Sequence, residues 1–142
     1  MAAGRKRRQA YPMVMDIEHV ALNVIDPPAM ARWYVEHLQM KVVRCLDEAP
    51  FTHFIADRSG RVVLEIYHHT KAVVPPYASY DPLVLHVAFK ADDVAGARER
   101  LVRAGATSAG DIVVTTSGDE MAFLRDPWGV GLQLVKRARP LV

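Results

Sequence analysis

Four residues carry the chemistry that this chain could support: His19, Glu65, His86 and Gln133. Each falls in an apolar alternating run that reads as a β-strand, and side chains alternate across a strand. Sorting by parity puts Val20, Leu22 and Val24 on one row and His19, Ala21 and Asn23 on the other. Leu64 and Ile66 likewise oppose Glu65, Tyr67 and His69; Leu85, Val87 and Phe89 oppose His86, Ala88 and Lys90; Leu132 and Leu134 oppose Gln133. One row is fit to cover helices, and the other carries one metal-ligating side chain per strand. His19 and Glu65 are 46 positions apart and His86 and Gln133 are 47 apart, so the two pairs hold equivalent places. Two imidazoles, a carboxylate and an amide oxygen suit a divalent first-row ion such as Zn, Ni, Co, Mn or Fe, with positions left for water or substrate.

The elements that must position these residues come twice. His-Val-Ala-Leu at 19–22 returns as His-Val-Ala-Phe at 86–89, and Phe54-Ile-Ala-Asp-Arg-Ser-Gly60 is echoed by Phe123-Leu-Arg-Asp-Pro-Trp-Gly129. Asp26, and Asp92 or Asp93, stand where a helix N-cap is needed. The first helix opens on Pro27 and Pro28 and has an apolar stripe of Met30, Trp33, Tyr34, His37 and Leu38; the second has Val94, Ala97 and Leu101 and stops at Gly105. The last strand of each half runs over Arg61 to Tyr67 and Val130 to Lys136. Each half therefore reads as a β-α-β-β-β unit. The expected class is α+β: two tandem modules forming a cupped mixed sheet with helices on the outer face.

The 142 residues, 51% of them hydrophobic, suit one domain with a real core. The reading divides the chain into a basic tail at 1–14, a domain at 15–137 and a C-terminal tail at 138–142. Within the domain, module 1 covers about 15–70, a linker 71–82 and module 2 about 83–137. Arg5, Lys6, Arg7 and Arg8 form a cluster that reads as a solvated, disordered terminus rather than a nucleic-acid or membrane arm. No stretch approaches the roughly 20 apolar residues of a membrane span and no signal-peptide pattern appears, so a cytoplasmic protein is expected. The single Cys45 excludes an internal disulfide and a paired-cysteine zinc site, and it reads as a buried small residue. No Gly-rich phosphate loop and no nucleophile elbow are present, which sets aside nucleotide binding and serine hydrolysis.

Around the ligand row, Tyr67 and His69 share the parity of Glu65, and with Asn23 on the row of His19 they are candidates for substrate contact. His53 joins them if its row matches. Tyr77 and Tyr80 lie in the stiff segment Val74 to Pro82, which is a candidate wall or lid.

The chain resembles the vicinal oxygen chelate superfamily, the glyoxalase, bleomycin-resistance and extradiol-dioxygenase group, over about Met15 to Arg137. The resemblance rests on Ile17-Glu-His-Val-Ala-Leu-Asn-Val, Trp33-Tyr34 with His37-Leu38, Val63-Leu-Glu-Ile-Tyr67 and Phe123-Leu-Arg-Asp-Pro-Trp-Gly129. It implies that His19, Glu65, His86 and Gln133 are the metal ligands. It also marks departures. The last ligand is usually a glutamate within an Asp-Pro-Asp-Gly type of motif, and Gln133 and Trp128 stand here instead. An amide cannot take a proton near neutral pH, so Glu65 is the one carboxylate of the row left as a base. Asn23 and His69 occupy positions where glyoxalase I has an arginine and an asparagine, which argues against glutathione as cosubstrate. Methylmalonyl-CoA epimerase resembles the inverse arrangement, with glutamine second and glutamate last.

The expected function is a metal-dependent lyase, isomerase or epimerase acting on a small vicinal-oxygen substrate by proton abstraction and enediolate stabilisation. The alternative is a non-catalytic small-molecule or antibiotic-binding protein of the bleomycin-resistance type, with an extradiol-type dioxygenase behind both. The resemblance further implies a homodimer, leaving open whether the two ligand pairs meet within one chain or across two.

Overall fold

The computed structural model describes residues 13–142; the basic cluster at 5–8 lies outside them. Strands β1 (Val20–Asn23), β2 (Lys41–Cys45), β3 (His53–Ala56) and β4 (Val63–Tyr67) form one sheet in the order β1-β4-β3-β2, with helix α1 (Pro27–Leu38) between β1 and β2. Strands β5 (Val87–Lys90), β6 (Thr107–Ser108), β7 (Val113–Val114), β8 (Glu120–Arg125) and β9 (Gly131–Lys136) form the second. Its order is β5-β9-β8-β6, β7 also pairs with β8, and helix α2 (Val94–Arg103) follows β5. In each sheet the first and last strands pair in parallel, β1 with β4 and β5 with β9, and the remaining pairs are antiparallel. The class is α+β, as the repeat implies. In the second unit the edge strand is broken into β6 and β7, and Gly110 at φ +107° stands between them.

The helix boundaries follow local chemistry. Asp26 accepts the amide of Ala29 and Asp93 that of Gly96, each satisfying an otherwise unpaired N–H of the first turn. Pro27 and Pro28 occupy N1 and N2 of α1, where no amide donor is needed. Gly105, at φ +107°, follows the end of α2 in the left-handed side of backbone space that glycine enters without steric cost.

Most of the aliphatic row covers the helices as its parity requires; Val20 and Leu85, at the entries to the strands, are exposed. Leu22, Val24, Ile55, Leu64 and Ile66 are buried with Met30 and Tyr34, while Leu124, Leu132 and Leu134 are buried with Val94 and Leu101. These residues belong to one continuous core. Among the described residues no strand of one sheet pairs with the other; the units are fastened by side chains instead. Tyr34 Oη donates to Asp126 Oδ2 at 2.8 Å, Trp33 Nε1 to the Ala104 carbonyl at 2.8 Å, and Arg100 to the His37 carbonyl at 2.8 Å.

One expectation is corrected here. Cys45 is exposed, not buried, because β2 is an edge strand whose five residues are all exposed. Among the described residues no helix is long and apolar enough to cross a membrane.

Candidate functional site

His19 and His86 each stand one residue ahead of a strand, and the pairing of β4 and β9 with their neighbours sets what lies beside them. Phe54 is directly opposite Glu65, and Phe123 is directly opposite Gln133. The His19 ring meets Phe54 edge-on at 5.6 Å, and the His86 ring meets Phe123 edge-on at 5.1 Å. The two repeats thus present the same constellation, His-Phe-Glu in the first and His-Phe-Gln in the second. The phenylalanines are absent from the list that strand parity alone suggested. The echo between Phe54 and Phe123 in the sequence was the available signal, but assigning it to this face required the register.

Within the first unit, His19 Nε2 lies 3.0 Å from Glu65 Oε2 while Nδ1 is bonded to the carboxylate of Glu18. Both ring nitrogens face oxygens that only accept, an arrangement that a neutral ring with one proton cannot satisfy twice. The hydrogen bond to Glu18 is the largest influence, and with Glu65 it raises the pKa of His19 above 6.5 despite desolvation. In the second unit, His86 Nδ1 lies 2.7 Å from the carbonyl of Pro82. A carbonyl cannot donate, so Nδ1 carries a proton, and in the neutral ring Nε2 then keeps the lone pair. Gln133 is buried, and its Nε2 donates to the sulfur of Met121 at 3.5 Å.

Each half therefore holds two potential ligands. Among the described residues, no group of three or more His, Cys, Asp or Glu side chains is gathered closely enough to hold a metal ion. His19 and Glu65 are together, and His86 and Gln133 share the face of the other sheet.

The remaining candidates separate. Tyr67 is half-buried at the end of β4, two residues from Glu65 and on the same face. His69 lies beyond the strand, exposed, with Nδ1 accepting the amide of Lys71. Asn23 is committed to the backbone: its amide nitrogen donates to the carbonyls of His69 and Ala72, and its oxygen accepts the amide of His69 at 2.8 Å. Its polar atoms hold the exit of β4 rather than face a substrate. His53 is opposite Ile66, on the helix-facing row, and lines a cleft with Arg32, Val35 and Glu36 of α1. Its row does not match that of Glu65, because β3 pairs so that Phe54 takes the open face. Tyr77 is a core residue, its hydroxyl donating to the carbonyl of Asn23 at 2.9 Å. Burial pushes its pKa up to about 12. Tyr80 is exposed and stacks edge-on against Tyr77 at 6.5 Å. The stiff segment at 74–82 is thus anchored through Tyr77, and its residues Val74 to Ser79 wall a cavity with Asp126 to Gly129, whose lining includes none of His19, Glu65, His86 and Gln133.

The comparisons agree with this architecture. The family model for the glyoxalase/bleomycin resistance protein/dioxygenase superfamily matches residues 16–134, so the chain belongs to that superfamily. A glyoxalase family protein from Bacillus cereus superimposes with a TM-score of 0.75 at 14% identity, covering 92% of this chain and 99% of that one. A glyoxalase family protein from Enterococcus faecalis gives 0.65 at 28% identity, covering 85% and 97%. TnmS3, an antibiotic-binding protein from Streptomyces sp. CB03234, gives 0.65 at 21% identity, covering 88% and 100%. No curated protein matches the sequence.

Proposed function

We propose that the chain is a metal-dependent, glyoxalase-like enzyme of the lyase, isomerase or epimerase kind, and that its two half-sites make one centre. The observation that carries this reading is the repeated constellation, in which both imidazoles have Nδ1 engaged by an oxygen. That engagement directs Nε2 toward the open face, which is how histidine ligands are oriented for a metal. The donor set of His19, Glu65, His86 and Gln133 fits a borderline divalent ion such as Zn, Ni, Co, Mn or Fe. Since each half supplies two ligands, a homodimer completes the set when the first half of one copy faces the second half of the other. A small molecule with adjacent oxygens is the substrate class, and a bound ion supplies Lewis acidity to those oxygens.

Glu65 is the proton acceptor. It is the one carboxylate of the four, and a proton leaving the carbon beside a carbonyl passes to its oxygen while the electron pair moves onto the carbonyl oxygen, giving an enediolate. Gln133 would hold the ion through its amide oxygen, since its amide nitrogen is the donor to Met121, and an amide does not exchange protons as a base. Phe54 and Phe123 wall the two half-sites and exclude water from the developing charge.

The test is metal content and oligomeric state of protein prepared without chelator. The expected result is one divalent ion per chain in a dimer; protein that stays metal-free after reconstitution with each of the five ions overturns the reading. A second reading is favoured by Gln133, which replaces the usual last carboxylate, and by the antibiotic-binding neighbour: the same cup sequesters an aromatic or cationic molecule without chemistry. In that case small-molecule ligands raise the thermal midpoint equally with and without metal.

A further inference from the structure

His86 is oriented by backbone, and the backbone that orients it is held by two residues of the second sheet. The segment from Tyr80 to Leu85 crosses toward β5 and passes directly against β9. A Cβ at Gly131 would come within 2.7 Å of the Leu85 carbonyl oxygen, 3.4 Å of the His86 Cβ and 3.5 Å of the Pro82 Cα. No side chain larger than hydrogen fits beneath that crossing without moving it. At the start of the segment Arg125, directly opposite Gly131 in the β8–β9 pair, donates from Nη2 to the Tyr80 carbonyl at 2.8 Å. Asp81 closes the turn between them, accepting the amides of Leu83 on its side chain and Val84 on its carbonyl, each at 2.8 Å. The Pro82 carbonyl is then set to receive His86 Nδ1.

The first repeat lacks this device. Val63 begins β4 where Gly131 begins β9, residues 13–18 before His19 are exposed throughout, and His19 Nδ1 is met by the side chain of Glu18. One histidine is thus met by an exposed side-chain carboxylate and the other by a backbone carbonyl.

We propose that Gly131 and Arg125 are positioning residues: they hold the Tyr80–Leu85 segment against β9 so that the Pro82 carbonyl locks His86 in the tautomer with Nδ1 protonated and Nε2 bare. This rests on the reading of His86 as a ligand through Nε2, but the orientation itself is measurable without any metal. Ring-nitrogen NMR shifts of His86 in the metal-free chain, at a pH where the imidazole is neutral, report the tautomer directly. The wild-type chain should give a single form with Nε2 unprotonated; the opposite tautomer, or an averaged mixture, overturns the proposal. In Gly131→Ala the segment must lift from β9, and in Arg125→Met the Tyr80 carbonyl is released; both should shift the two nitrogens toward an averaged pair. Arg125→Met guards against poor folding of the glycine variant, and an unchanged single tautomer in it overturns the assignment of Arg125, as the same result in folded Gly131→Ala overturns that of Gly131. Both variants should also weaken divalent-ion binding by about 10- to 100-fold, the usual cost of losing a group that orients a ligand. A wild-type chain with the stated tautomer that takes up no ion refutes the functional reading and leaves the positioning role standing.

Discussion

The turns that lead into the last strand of each repeat share a pattern but not an environment. Asp57 and Asp126 open them, Gly60 and Gly129 close them, and each glycine amide donates to its aspartate carbonyl at 2.9 Å. Asp57 is half-exposed and bonds Ser59 within its own turn. Asp126 is buried, accepts the Trp128 and Val130 amides, and also takes the Tyr34 hydroxyl from the other repeat. A backbone motif that is a surface corner in the first unit has become the fastening between units in the second. The same divergence reaches the candidate site, where Glu65 of the first repeat is answered by Gln133 of the second. Similar local sequence sets similar backbone; what packs on that backbone decides its role.

The largest effect should separate Glu65 from Gln133. Glu65→Gln should remove bound metal, and it should slow exchange of the carbon-bound proton of a 2-hydroxy ketone probe by about 10²- to 10⁴-fold, the usual scale for losing a general base. Gln133→Glu restores symmetry and should keep the ion. Exchange and metal analysis on the two variants decide the matter: an active Glu65→Gln chain removes the carboxylate from the role of base and makes the repeats functionally equivalent.

The next effect concerns the turn glycines. Both have positive φ, +73° at Gly60 and +89° at Gly129. A Cβ at Gly60 would meet nothing within 4 Å, whereas one at Gly129 would fall 2.6–2.8 Å from the backbone and Cβ of Ala78. Gly60→Ala should therefore cost only the left-handed conformation, about 1 kcal/mol. Gly129→Ala adds displacement of the Tyr77–Ser79 turn and should cost about 3 kcal/mol. Urea midpoints measure both, and equal losses would mean that the second turn is no more embedded than the first.

How much of this was legible in the sequence follows the same division. Capping at Asp26 and Asp93, the proline-led start of α1 and the aliphatic parity of β4 and β9 are local, and each is visible in a few adjacent residues. The places of His53, Tyr77 and Asn23 are not local. His53 was readable only with the β3–β4 register, Tyr77 only with its bond to the carbonyl of Asn23, and Asn23 only with the path of residues 69–72. The Phe54 and Phe123 walls required the same register. Cys45 reads as apolar by type, yet it lies on an edge strand whose position depends on sheet order.

The smallest effect tests the turns through their pH dependence, because the two aspartates respond to their surroundings with opposite sign. Burial pushes the Asp126 carboxyl up to about 6, outweighing the hydrogen bonds from Tyr34 and the turn amides. Its folded state holds the proton more tightly than the unfolded chain does. The stabilisation that Asp126 contributes is therefore fully present below about 3.8 and lost as the pH rises to about 6. At Asp57 burial also pushes upward, but hydrogen bonds from Ser59 and from the Val62, Ser59 and Arg61 amides together win and hold the pKa below 3.8. Its contribution is present above 3.8 and lost as the pH falls through the lowered value. Asp126→Asn should flatten the decline in denaturation free energy between about pH 4 and pH 6, since an amide can keep the Trp128 and Val130 bonds and accept no charge. Asp57→Asn should instead flatten the loss at lower pH, and by less, because solvent screens a half-exposed turn. Denaturant titrations across this pH range on the three chains measure both slopes. A common sign at the two sites would show that the repeats, whatever their packing, treat their turn aspartates alike.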